Sequence, residues 1–412
     1  MPLMPQPGKP LKDSRQIIAL LGAFCFFLSA VEYLIPKPLP FIRLGLANLP
    51  LVLGIDILGF PAFVLLVMLK ILGQALISGT LVSYVFIFSF AGTAVSALFM
   101  YALRRSAGAK RISLIGVSTA GALTSNAVQL VLARFFIFGG NTAYIAAPIL
   151  GLGLITGILL GLFCEYFLRQ SQWYALLMNN TFTANCNTIT VNTSSNTVNT
   201  IEKFRSFRQQ KNLSLFSANA LAITAILMMP AFLFNQDTLW KTLQFLLFWF
   251  LAWASGKKNN PFIIIGIVTF ITFFNLIVPY GELLYQLGPF RITKGALLAG
   301  LRRGITLEGL VMLSRAGIRQ DLKLPGYIGE LLGESFRLFA LLTENKTAFK
   351  EKVLEKKGSL FVSLDELLFD LSASSFTPAS QTPAKTRTGL RGFIILAAAV
   401  ILSWLPWLII QF

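Results

Sequence analysis

Residues 179–200 read NNTFTANCNTITVNTSSNTVNT, a polar run inside a chain otherwise filled with long apolar segments. Few large apolar groups stand in it, so it has little to bury and no drive to fold. Ahead of it, apolar segments occupy 16–35, 44–58, 60–77, 81–103, 113–137 and 144–168. Behind it they occupy 213–234, 239–255, 261–279, 293–313 and 391–411. A single bundle has no need of such a seam. The run therefore separates two membrane modules, 1–170 and 213–412, joined by a polar, flexible, cytoplasmic linker over 171–212.

Composition agrees with a bilayer as solvent. Of 412 residues, 55% are hydrophobic and 13% charged, and mean hydropathy is +0.71, too apolar for a soluble surface of this size. The net charge of +18 does not point to nucleic acid, because Lys and Arg gather in short patches at the ends of apolar runs, where they orient helices. The chain has no histidine, which excludes His-based triads, HExxH zinc sites and imidazole proton relays. Cys25, Cys164 and Cys186 lie too far apart in sequence to suggest a disulfide framework or a thiolate metal site. The first apolar run is too long for a signal-peptide core and lacks a small-residue cleavage site, so it stays as a helix.

The basic patches set the topology. Lys9, Lys12 and Arg15 in the N-terminal tail and Arg104, Arg105, Lys110 and Arg111 after the fourth segment all belong in the cytoplasm, which four crossings satisfy. Segment six then ends inside at Arg169. The run 293–313 carries Arg302, Arg303 and Glu308, yet omitting it would put the basic stretch 319–358 outside, so it counts as a span. The fold class predicted is all-α and polytopic: about eleven transmembrane helices in two bundles, N-terminus inside and C-terminus outside. Two amphipathic segments, YIGELLGESFRLFALL (327–342) and SLFVSLDELLFDL (359–371), are too charged to cross and read as cytoplasmic or interfacial helices. They serve either to grip anionic lipid or to dock a cytoplasmic partner.

Ionisable groups at membrane depth cost roughly 2.5–3.5 kcal/mol each on insertion scales, so each asks for a reason. Glu32, Arg134 and Glu165 lie near segment ends and can snorkel to the interface. Lys70 stands mid-segment, with Gln74 one turn away on the same face. The stretch FIRLGLANLPLVLGIDILG (41–59) enters the membrane through Arg43 and Asn48 ahead of Pro50, an interrupted opening of the kind that lends backbone groups to ligands. Segment five adds Asn126 and Gln129. Arg43, Asn48, Lys70, Gln74, Asn126 and Gln129 thus form a candidate substrate-binding pocket; the alternative is that they are interhelical hydrogen bonds holding helices together. Arg43 and Lys70 face only Asp56 as a counter-charge, so the pocket leans cationic and suits an anionic or amphiphilic small molecule, an isoprenoid-like or diphosphate-bearing compound among them. Ala19 and Ala23, four apart on segment one, permit close helix approach.

The ordered motifs RLGLANLPLVLGIDILG (43–59), LKILGQALISGTL (69–81) and SNAVQLVLARFFIFG (125–139) resemble the Gx transporter family, also labelled heptaprenyl diphosphate synthase component I, over about residues 14–170. Members of that family look like substrate-binding components of energy-coupling-factor (ECF) transporters. LGPFRITKGALLAGLRRGITLEGLVMLSRAG (287–317) with KLPGYIGELLGESFRLFALLTE (323–344) resembles the CbiQ-type ECF transmembrane component. That resemblance implies a scaffold that grips the substrate-binding module, through a face to which Ala19 and Ala23 would belong, and reaches two cytoplasmic ABC ATPases by coupling helices. The short Ala-Arg-Gly-like coupling motif of that family is not reproduced: its nearest counterpart is Ser314-Arg315-Ala316-Gly317 at the end of a span, and Arg337 lies in a suitable helix without the flanks. Arg315 and Arg337 are the candidate coupling residues.

The function implied is a membrane component of an ECF-type uptake transporter in the bacterial cytoplasmic membrane, with lipid, a small-molecule substrate and partner ATPases as its contacts. The chain has no GxxxxGK[ST] loop, so ATP belongs on separate subunits and no cofactor is expected here. A prenyltransferase needs aspartate clusters to hold magnesium on a pyrophosphate, and of Asp13, Asp56, Asp237, Asp321, Asp365 and Asp370 only the last two are near neighbours. The chain is therefore not expected to be an enzyme. The alternatives are a membrane accessory component of heptaprenyl diphosphate synthesis and a lipid-handling scaffold that needs no ATPase.

Overall fold

The computed structural model describes residues 11–34, 45–108, 111–178, 217–254, 260–287, 290–317, 326–344, 365 and 389–410. Almost all of these are helical, as a bilayer demands of a chain that must satisfy its own backbone. In the first half, α1 (Leu11–Leu34) leads to a 3-10 turn (Leu46–Asn48) and the short α2 (Leu49–Gly54). Then come α3 (Phe60–Ser78), α4 (Tyr84–Ala107), α5 (Leu114–Ala133), α6 (Thr142–Gln170) and α7 (Gln172–Met178). Pro61 in the first turn of α3 and Ser113, whose Oγ accepts from Gly116 N at 3.2 Å, fix two of the helix starts. Between α5 and α6 the chain makes a π turn (Arg134–Phe138) and a 3-10 turn (Gly139–Asn141). The pair α5–α6 packs with backbones in contact: a Cβ on Gly157 would lie 2.7 Å from Thr119 Cα, and one on Gly161 2.4 Å from Ile115 Cα.

The second half contains α8 (Ala218–Phe234), α9 (Thr238–Ala254), α10 (Pro261–Leu276), α11 (Lys294–Gly317), α12 (Gly326–Glu344) and α13 (Leu390–Ile410). Between α10 and α11 stands an antiparallel hairpin, β1 (Leu283–Leu287) with β2 (Phe290–Thr293), which corrects the all-α expectation. Helix α11 is the centre of this half, buried almost throughout from Gly304 to Gly317 against α8, α9 and α10. Its glycines admit large neighbours: a Cβ on Gly309 would sit 2.3 Å from the Phe232 ring.

Four helical stretches are long and apolar enough to cross a membrane: Ser14–Glu32, Phe60–Ser78, Tyr84–Ala107 and Leu114–Gln170, the last being α5 and α6 together. The chain is in this sense a multi-pass membrane protein, but the eleven spans expected are not reproduced among the described residues. Charge is the reason for α11, whose 24 residues include Arg302, Arg303 and Glu308, and length is the reason for several others. The six residues of α2 rise only about 9 Å, and the 16 or 17 of α8, α9 and α10 rise about 24–26 Å against a hydrocarbon core of about 30 Å.

Two self-contained bundles are not what the packing shows either. One hydrophobic core joins α1, α2 and α3 to Leu331, Leu332, Leu338 and Leu342 of α12; the other joins Val85, Phe88, Ile137 and Phe138 to α8, α10 and α11. Helix α12 lies along α1. Arg15 pairs with Glu330 (3.2 Å) and Glu334 (3.4 Å), a Cβ on Gly22 would meet Ser335 Oγ at 2.9 Å, and the Phe26 ring lies 4.9 Å from Phe336 and 6.5 Å from Phe339. Ala19, on the same stripe, and Ala23 are fully buried. The amphipathic segment 327–342 thus turns its apolar face to the first half of the chain, not to lipid. Most of 359–371 is outside the described residues, but Asp365 accepts from Ser171 Oγ, Gln172 N (3.0 Å) and Trp173 N (3.3 Å) at the start of α7. The linker predicted from residue 171 therefore begins with a helix whose Trp173 is fully buried; residues 179–216 are outside the described residues.

A second contact revises the sidedness inferred from charge. Four crossings put the α3–α4 loop on the face opposite Arg104, while α11 is expected to end in the cytoplasm. Yet Val82 N donates to Ser314 Oγ (2.9 Å), and Arg315 packs on Gly79. Eleven residues earlier on α11, Arg303 Nη1 donates to Ile137 O (3.1 Å) of the π turn and to Asn275 Oδ1 (2.7 Å), and Asn141 Nδ2 donates to Phe274 O (2.9 Å). Both loops close the same end of the first half, so α11 passes across that end instead of standing beside it.

Candidate functional site

A small, partly open cavity lies within the first half. Its walls come from α1, the turn before α2, and α3 to α6. The turn is made possible by Gly45, whose φ of 84° lies in the left-handed region, and Asn48 N closes it on Gly45 O at 2.8 Å. This conformation brings Asn48 over α3, where its Oδ1 accepts from Lys70 Nζ. Gln74 follows one turn along, 6% exposed, and its Oε1 receives no hydrogen bond among the described residues. From the opposite wall comes Asn126, whose Nδ2 donates to Ile149 O (2.8 Å) and so ties α5 to α6.

Of the charges expected here, Arg43 lies outside the described residues, and the others lie within them. Asp56 is not the counter-charge: it takes the Arg104 guanidinium, with Oδ1 accepting from Nε at 3.0 Å and Oδ2 from Nη2 at 2.7 Å. The carboxylate on the cavity wall is Glu32, 2% exposed, facing a space that Lys70, 3% exposed, also lines. One buried cation and one buried anion leave the described lining without net charge. Below this end, Tyr174 of α7 is buried, and that burial raises its phenol above the ordinary value, so it stays protonated.

Of the six residues expected in the pocket, Asn48, Lys70, Gln74 and Asn126 come together. Gln129 does not line the cavity; it donates to Ser125 Oγ (3.3 Å) and fills the space beside Gly92 between α4 and α5. Arg43 lies outside the described residues. Glu32 was expected to snorkel. One signal pointed the other way, since a carboxylate in the last turn of α1 faces the negative end of the helix and needs stabilisation from elsewhere. Thr93, Ser118 and Thr156 also line the space, and nothing in the sequence separates them from other small polar residues that aid helix packing. Of the coupling candidates, Arg315 is engaged between the halves at Gly79, and Arg337 is half-buried on α12.

The family model described as heptaprenyl diphosphate synthase component I matches residues 21–167, which span α1 to α6 and the whole cavity. A second model, for a domain of unknown function, matches residues 218–320. This second match does not reproduce the resemblance of 213–412 to a CbiQ-type component. No curated protein and no solved structure matches the chain.

Proposed function

We propose that this chain is a membrane component of an ECF-type uptake transporter in the bacterial cytoplasmic membrane, with substrate held by the first half and force received through the second. The observation that carries this reading is the buried polar cavity among apolar helices, placed in the same core that α12 completes. Polar and charged side chains at such depth are costly, and a ligand is a reason to keep them there. Helix α12 supplies the physical link: movement of α12 is transmitted to α1 through Phe336, Phe339 and the Arg15 ion pairs, and α1 carries Glu32 to the cavity. Because the chain has no phosphate-binding loop, the energy comes from ATP on separate ABC subunits, and Arg337 is the coupling residue better placed to meet them.

A second reading, a membrane accessory to heptaprenyl diphosphate synthesis, is favoured by the description of the matching family. One experiment separates the two. The full chain is purified in mild detergent from its native membrane and its companions are identified by mass spectrometry. A pair of nucleotide-binding subunits supports transport; a soluble prenyltransferase in their place supports the accessory role; neither companion removes both.

A further inference from the structure

We infer that the cavity takes a small molecule with an apolar body and an uncharged, hydrogen-donating head, and not a diphosphate or a carboxylate; this rests on the binding reading given above. The charge balance is the first argument. Glu32 and Lys70 are both buried and line the same space, so the described lining holds one anion and one cation, while Asp56, the counter-charge expected from the sequence, is paired with Arg104 instead. A diphosphate carries two to three negative charges and is held by several cationic donors or a metal bridge, whereas the described lining offers one lysine, part of whose donor capacity goes to Asn48. In the described lining an entering anion would gain one cation and meet one carboxylate in a low-dielectric setting, where like charges repel strongly.

The second argument is an acceptor without a donor. Gln74 Oε1 is shielded from solvent and receives no hydrogen bond among the described residues, and Gln74 is one of the residues lining the cavity. A buried acceptor in this state is unfavourable until something donates to it, so a bound N–H or O–H is stabilised there. The third argument is the mixed lining: polar Asn48, Gln74 and Asn126 stand among apolar Val52, Met100 and Leu160, so a small molecule with both polar and apolar surface is satisfied there.

The test uses the full chain in detergent. Native mass spectrometry of protein purified from its own membrane reads any bound molecule, and melting curves are recorded with farnesol and with farnesyl diphosphate, probes that share a body and differ in head-group charge. The expected result is a bound molecule without net charge, whose occupancy falls about tenfold in Gln74→Leu. Farnesyl diphosphate should leave the wild-type melting curve unmoved and raise it in Glu32→Gln, where Lys70 is left as the one charge of the described lining. A phosphate- or carboxylate-bearing molecule in the wild-type spectrum, or a wild-type shift with farnesyl diphosphate, overturns the uncharged head while leaving the binding reading in place. An empty spectrum with no shift from either probe overturns both. The wild-type spectrum decides the matter even if Gln74→Leu fails to fold.

Discussion

At the scale of single residues, the site is a matter of which charges have company. Glu32 and Lys70 are each tolerable in an apolar setting because the other lies in the same small space. Removing one member of such a pair strands the other, so Lys70→Met should lower stability by on the order of 3 kcal/mol, and adding Glu32→Gln should recover most of the loss. Melting temperatures of the two variants in the same detergent check this, and a double variant as unstable as the single one would mean that the two charges do not compensate. Lys70, Gln74 and Asn48 were legible in the sequence because polar groups in mid-segment have no cheap alternative to a partner. Glu32 was not, because closeness to a helix end in sequence says nothing of what covers that end. Gln129 misled for a geometric reason. Three residues from Asn126, it is turned about 60° around the helix, enough to face α4 in place of the cavity.

Among the elements, α5 and α6 show how small residues set the site's dimensions. Asn126 reaches Ile149 O only because Gly153 leaves room, and Gly157 and Gly161 bring α6 against the backbone of α5. Gly157→Val forces a side chain into Thr119 and Ala122, and should cost at least about 1–3 kcal/mol and open the cavity wall. A melting curve superimposable on wild type would show that these helices are not in close contact. Helix positions were largely readable from apolar runs, with α3, α5 and α10 close to the segments drawn for them. The hairpin was not, since Leu283, Leu284 and Tyr285 look like a continuation of a membrane segment yet are more than half exposed. The placement of α12 was only half legible. Its amphipathic pattern gave a helix with one apolar face, but a pattern does not say whether lipid or protein covers that face.

For the whole molecule, the contact between α11 and the end of the first half is the feature most open to direct test. In a background without native cysteines, Val82→Cys with Ser314→Cys should form a disulfide under mild oxidation, seen as a mobility shift that a reductant reverses. A pair that fails to cross-link while each single variant folds would undo the arrangement in which α11 crosses that end. Positive-inside reasoning could not foresee this contact, because charge assigns loops to faces of a membrane and is silent on how one half leans against the other. The division at 179–200 was visible from composition, whereas the sharing of both cores between the halves depends on contacts more than a hundred residues apart. That sharing has an outcome for a nicked chain. With α12 laid along α1 and Asp365 holding the start of α7, a cut anywhere between residues 181 and 216 breaks a covalent bond and nothing else that is described. Two polypeptides expressed from separate reading frames, divided at that point, should find each other in the bilayer and elute as one species.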